Sequence, residues 1–187
     1  MTKFIDKNKG KVQMKTLLNQ SSDNKNGVPL HYACRTDEDS VERVQILLDN
    51  GAELHKQDLG GRTVLHIACT RNCIKIVKFC LNQGMDIDLK GTKSGSTPLV
   101  ISVINGHFEL TKFLLESGAD FLYEFNKQKM NELADNQNDD EVREIVNTYV
   151  TRGENWNRRR ALLKMYLNRT PIAKLRIYLF RKVVLYA

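Results

Sequence analysis

The chain has 187 residues, 41% of them apolar and 27% charged, with 11 Gly, 3 Pro and 4 Cys. That composition excludes collagen, low-complexity disorder and a disulfide scaffold, and no stretch reaches the roughly 18 uncharged apolar residues needed to span a bilayer. The net charge of +7 is unevenly held: residues 1–150 carry 19 Lys/Arg against 21 Asp/Glu, whereas residues 151–187 carry 10 against 1. The basicity belongs to the tail, so any affinity for nucleic acid or an acidic membrane is expected to rest there.

Residues 1–11 have neither the apolar core of a secretory signal nor the pattern of a transit peptide, and four cysteines in no framework spacing suit a reducing compartment. A cytoplasmic or nuclear location, not a secreted one, is expected. The first helix is expected over Val12 to Gln20, where Leu17-Leu18 matches Leu47-Leu48 further on.

A repeat then sets the pattern. Val28-Pro29-Leu30-His31-Tyr32-Ala33-Cys34 recurs as Thr63-Val64-Leu65-His66-Ile67-Ala68-Cys69 and as Thr97-Pro98-Leu99-Val100-Ile101-Ser102-Val103, at offsets of 35 and 34 residues. Thr63-Val64 and Thr97-Pro98 read as an N-cap followed by a first helical residue, where a missing N–H costs nothing. A second block follows each first one: Val41–Leu48, Ile74–Leu81 and Phe108–Leu115 align without a gap. In the middle copy Ile74, Val77, Cys80 and Leu81 predict one apolar helical stripe, with Leu65, Ala68, Val77 and Leu81 forming the core between units. Gly51, Gly84 and Gly118 stop these helices where a left-handed residue costs least. Each unit is thus helix, short turn, antiparallel helix and an extended loop, too small to bury a core alone, so stability must come from stacking.

A fourth unit is expected to run to Gly153, with Ile145-Val146 in the slot of Ile76-Val77. It departs from the pattern: Lys129–Ala134 replaces the usual opening, and Asn136–Glu141 lengthens the inner turn. After it, Trp156-Asn157-Arg158-Arg159-Arg160 opens a tail in which two helices are expected on either side of Thr170-Pro171. The second carries Ile172, Leu175, Leu179, Val183 and Tyr186 near helical spacing, interrupted by Lys174, Arg176, Arg181 and Lys182. Three fates suit such a tail: it covers the last repeat, it is buried in a partner protein, or it contacts the phosphates of RNA or an anionic membrane.

The repeated blocks resemble ankyrin repeats, whose T-P-L-H-x-A opening, I-V-x-x-L-L second helix and G-A-D ending they reproduce nearly letter for letter. The resemblance implies an all-α ankyrin-repeat solenoid, with residues 1–27 as an N-terminal capping half repeat and 28–153 as three clear repeats and a degenerate fourth; residues 154–187, which the repeats do not explain, are expected from their charge and spacing as a basic amphipathic helical tail. It also implies that His31 and His66 bind neighbouring backbone and loop groups.

Chemistry finds little support. His66, Cys69, Cys73 and Cys80 could be offered as zinc ligands, but Cys69 occupies the slot of Cys34 and Val103, and Cys80 that of Leu47 and Leu114, so both read as small core hydrophobes. Cys73 is the one thiol expected to meet solvent. No phosphate-loop, dinucleotide, zinc-protease or nucleophile-elbow motif occurs, and Gly91–Ser96 reads as a loop tip. Neither metal, cofactor nor catalysis is expected.

What remains is surface. By resemblance, loop tips and the outward face of each first helix form a concave wall for a protein partner. The tips carry Lys56, Gln57, Leu59 and Arg62, then Lys90, Thr92 and Lys93, then Glu124, Asn126 and Lys127; the helices contribute Tyr32, Arg35, Thr36, Thr70, Arg71, Ile104 and Asn105. Exposed apolar residues among Arg and Lys are the kind that anchor interfaces. In the tail, Trp156, Arg158, Arg159, Arg160, Leu175, Leu179 and Val183 are the expected anchor. The function expected is a non-catalytic interaction module or scaffold, monomeric outside its complex, held through the wall and anchored in a larger assembly by the tail. One alternative is a substrate adaptor of a ubiquitin ligase, since Ala161–Tyr166 resembles the start of the helical box of that class, with Tyr166 where its cysteine belongs. The other is tail-mediated binding of RNA or an anionic membrane.

Overall fold

The helix stops expected at glycine are present and share one geometry. In the computed structural model, which describes residues 12–21, 27–34, 39–137 and 139–152, Gly51, Gly84 and Gly118 have φ of +95°, +86° and +88°. After each, two backbone N–H groups turn back to the helix: Gly51 to Leu48 and Ala52 to Leu47, Gly84 to Leu81 and Met85 to Cys80, Gly118 to Leu115 and Ala119 to Leu114. This paired closure satisfies carbonyls that the helix end would orphan.

Among the described residues the regular secondary structure is helical apart from one isolated antiparallel bridge, Phe125 with Gln128. In chain order the helices are α1 (residues 12–19), α2 (Pro29–Ala33), α3 (Val41–Asp49), α4 (Val64–Thr70), α5 (Ile74–Asn82), α6 (Pro98–Ile104), α7 (Phe108–Glu116), α8 (Met130–Asp135) and α9 (residues 140–152). The chain falls into two compact units that meet in sequence between Pro98 and Leu99.

In the first unit α2 packs on α3 and α4, and α5 packs on α3 and α4. Their shared core is Leu30, Cys34, Val44, Leu65, Ala68, Cys69, Ile76, Val77 and Cys80, all essentially without exposure. Leu81 is half-buried, which corrects the expected stripe. At 100° per residue the buried set Ile76, Val77 and Cys80 leaves Leu81 about a quarter turn and Ile74 nearly a third of a turn off its centre, both on the same flank. At the N-terminal end α1 is tied to the first repeat by Asn19, whose Nδ2 donates to the Gly51 carbonyl (2.9 Å) and whose Oδ1 accepts the Glu53 N–H (2.8 Å). Leu17 of that helix is exposed, unlike its counterpart Leu47.

The second unit has its own core: Leu99, Val100 and Val103 of α6, Leu110, Leu114 and Leu115 of α7, then Met130, Leu133 and Ala134 of α8 with Val142 and Val146 of α9. Two hydroxyls are buried within it. Thr111 Oγ1 donates to Ser102 Oγ (3.1 Å), which donates to the Leu99 carbonyl (2.9 Å), so the two polar atoms satisfy each other. Phe121 and Tyr149 meet edge to face at 6.0 Å.

The histidines of the repeat opening act as the resemblance implied. His66 is fully buried; its Nδ1 accepts the Thr63 N–H (3.2 Å), so the proton sits on Nε2 and faces the Leu89 carbonyl (3.0 Å). His31 repeats this with Val28 and the Lys56 carbonyl (2.9 Å). Each ring clips the start of a first helix to the base of the following loop. In α8 the same position holds Glu132, whose carboxylate accepts the Lys129 N–H (3.2 Å). Burial lowers the His66 pKa, with the bond to Leu89 opposing. Protonation would place a second proton on Nδ1, against an N–H. Below pH about 6.5 the unfolded chain therefore takes up the proton before the folded one, and stability falls as pH falls. Thermal melts between pH 8 and pH 5 should be flat above about 6.5 and decline below it, with His66→Gln flattening the decline.

A cap absent from the linear pattern joins the first two repeats. Cys73 precedes α5 and offers no capping oxygen, yet Asp39 from the preceding repeat accepts the N–H groups of Lys75 (2.6 Å) and Ile76 (3.0 Å). A carboxylate here also complements the helix dipole. Asp39→Ala should cost about 1 kcal/mol in denaturant unfolding, as loss of an N-cap does.

Candidate interaction surface

The loop after α3 ends in a tip built around one carboxylate. Asp58 Oδ1 accepts the N–H groups of Gly60 and Arg62 (both 2.9 Å), while Oδ2 accepts Nε and a terminal nitrogen of the Arg62 guanidinium (2.9 and 2.7 Å). Backbone bonds from Asp58 N to Arg62 O and from Gly61 N to Asp58 O close the turn, both at 2.9 Å. Burial by itself would raise the Asp58 carboxyl; the bonds from Arg62 and Gly60 outweigh it and hold the group below its usual range. Arg62, expected on the wall as a partner-binding tip residue, is half-buried and its guanidinium is bonded to Asp58 within this turn. Leu59 stands at its apex, 50% exposed.

The next loop tip is joined to this one. Gly61 has φ +72°, and the Thr92 N–H donates to its carbonyl at 3.3 Å. Gly91 N bonds Ser96 O (3.0 Å), Gly95 N bonds Gly91 O (2.7 Å), and the hydroxyls of Ser94 and Ser96 share a bond of 2.6 Å. Thr92 and Lys93 are exposed on this second tip, and Lys90 is exposed just before it.

The remaining expected wall residues fall into three groups. Thr70 and Arg71 are exposed at the end of α4, and Ile104 and Asn105 at the end of α6. Thr70 and Asn105 turn a hydrogen bond back to their own helices, to His66 O (2.9 Å) and Ile101 O (2.7 Å). Tyr32, Lys56 and Gln57 are half-buried; the Lys56 ammonium lies 4.0 Å from Glu53, and a shallow depression of about 560 Å³ is lined by Glu53, Leu54, His55, Lys56 and Gln57. In the second unit Glu124, Asn126 and Lys127 are exposed, the last two at positive φ (51° and 66°) within the Phe125–Gln128 bridge. Arg35 and Thr36 lie outside the described residues, as do the tail anchors Trp156, Arg158, Arg159, Arg160, Leu175, Leu179 and Val183.

The thiols need a correction. Cys73 is buried, 5% exposed, with its Sγ 3.7 Å from the Cys34 carbonyl, because the start of α5 is packed against the preceding repeat. Burial, with the Asp39 carboxylate, pushes its pKa up. Burial likewise raises Cys34 and Cys69, and takes Cys80 to about 12; thiols so held are poor nucleophiles. Among the described residues no group of three or more His, Cys, Asp or Glu is placed to hold a metal ion. Asp58 and Gly61 were missed as wall architects, although an Asp two residues before Gly60-Gly61 is a turn signature.

Residues 30–124 match the family profile described as ankyrin repeats in three copies. The chain is 34% identical over 94 residues to the B-cell lymphoma 3 protein homolog of Mus musculus, covering 48% of this chain and 20% of that protein. It is 33% identical over 116 residues to human transient receptor potential cation channel subfamily A member 1 (61% and 10%), and 34% identical over 79 residues to the palmitoyltransferase ZDHHC13 of Mus musculus (42% and 13%). The chain therefore spans a fifth or less of the length of each of these relatives.

Proposed function

Because this chain belongs to the ankyrin-repeat family, whose repeats are protein–protein interaction modules, we propose that it is a non-catalytic scaffold binding a protein partner through its loop tips and the exposed ends of its first helices. The observation that carries this reading is the division of labour within a repeat. The groups with chemical potential, His31, His66 and the four thiols, are buried in the repeat core, while Leu59, Arg71, Lys90, Thr92 and Lys93 stand exposed on hydrogen-bonded loops and helix ends. A similar repeat segment accompanies a palmitoyltransferase in one relative, so an enzyme elsewhere in a larger assembly is compatible with a binding role for the repeats.

The basic C-terminal residues serve, in this reading, as a second anchor, with the protein a monomer in the cytoplasm or nucleus outside its complex. Their charge favours one alternative, contact with RNA or an anionic membrane. Co-purification of the full chain with its natural partner, identified by mass spectrometry and repeated with Arg158→Glu and Arg159→Glu, tests both. Recovery of a protein partner that survives the two reversals supports the wall; a nucleic acid or vesicle interaction abolished by them and by rising salt supports the alternative.

A further inference from the structure

We propose that the adjoining tips Asp58–Arg62 and Gly91–Ser96 form a single preorganised platform for an acidic peptide segment bearing one apolar anchor residue. The inference rests on the interaction reading above and names the chemistry of its partner.

Three observations carry it. The first is rigidity: six hydrogen bonds to or from Asp58 and Arg62 fix the first tip, and the Thr92 to Gly61 bond joins it to the second, so little ordering remains to be done on binding. The second is the apex. Leu59 is half exposed on a turn whose polar groups are occupied with one another, and it offers a fixed apolar contact. The third is charge. The carboxylate of the first tip, Asp58, is 8% exposed and neutralised by Arg62, while Lys93 is exposed and brings positive charge to the second. The carboxylates of that second loop, Asp86 and Asp88, lie at its base, where Asp86 Oδ1 accepts the Asp88 N–H at 3.0 Å. A carboxylate-bearing segment thus meets positive charge beside an apolar apex. A polynucleotide fits less well: neither tip contains an aromatic side chain on which a base could stack, and a leucine offers nothing to a phosphate.

The test is selection of random displayed peptides on the full chain. The expected enrichment is Asp or Glu flanking one Leu, Ile, Met or Phe. For a synthetic peptide of that consensus, Leu59→Ser should weaken binding by about tenfold or more, as loss of an anchor does. Lys93→Glu should slow association and flatten its salt dependence. Lys78→Glu, on the exposed stripe of α5, should leave binding unchanged, and all three variants should melt with the parent because each residue is at the surface. Peptides without acidic enrichment, peptides indifferent to Leu59→Ser and Lys93→Glu, or no enrichment at all would overturn the inference; the broader interaction reading then stands or falls by co-purification alone. Competition by a single-stranded RNA oligonucleotide that Lys93→Glu abolishes would also overturn it, in favour of nucleic acid.

Discussion

Gly61→Val is expected to cost about 2–5 kcal/mol, a large effect for a residue on a loop tip. The position has φ +72°, where a β-branched side chain is a genuine outlier and costs roughly 1–2 kcal/mol in backbone strain alone. A Cβ built there lies 2.7 Å from the Thr92 backbone nitrogen, so the second tip must move and give up its bond to the Gly61 carbonyl. Forcing extra carbon into a filled space adds roughly 1–3 kcal/mol. Denaturant unfolding measures the sum; Gly84→Ala makes an informative contrast, since it shares a positive φ of 86° but meets no atom within 4 Å. Comparing Gly61→Ala with Gly84→Ala, the same added Cβ at two positive-φ positions, separates the contact from the strain.

Leu65→Ala is the second large effect. Leu65 is fully buried where α4 packs on α5, and removing a leucine from such a site costs about 2.7–5 kcal/mol, the spread reflecting how far the cavity collapses. Leu81→Ala, half-buried on the flank of α5, should cost less than half as much. Equal costs would mean that the buried stripe runs through Ile74 and Leu81 after all. Because repeats support only their neighbours, the Leu65 cavity should also lower the cooperativity of unfolding.

Much of this fold was legible because its signals are local. Thr63 and Pro98 mark helix starts, Gly51, Gly84 and Gly118 mark stops, and each acts through residues within one turn of chain. The orientation of α5 was less legible: Ile74 and Leu81 are as apolar as Ile76 and Cys80, and only the neighbouring helices decide which flank is covered. Asp39 was invisible for the same reason, since it caps a helix 36 and 37 residues away. Cys73 misled because its position reads as the start of a helix, while the carbonyl that covers it belongs to Cys34 of another repeat. At the surface the loss is greater. Arg62 and Lys93 look alike in sequence, yet Arg62 is held by Asp58 and Lys93 is exposed, a distinction that depends on which carboxylate the turn brings near.

The central claim is that the loop tips, and not the outer helix faces, meet the partner. Hydrogen–deuterium exchange of the full chain, with and without its co-purified partner, tests it most directly. Slowed exchange is expected over Lys56–Arg62 and Lys90–Ser96, with α5 around Lys75, Lys78 and Asn82 unchanged; protection confined to that outer stripe, with both tips exchanging as in the free chain, would contradict binding at the tips.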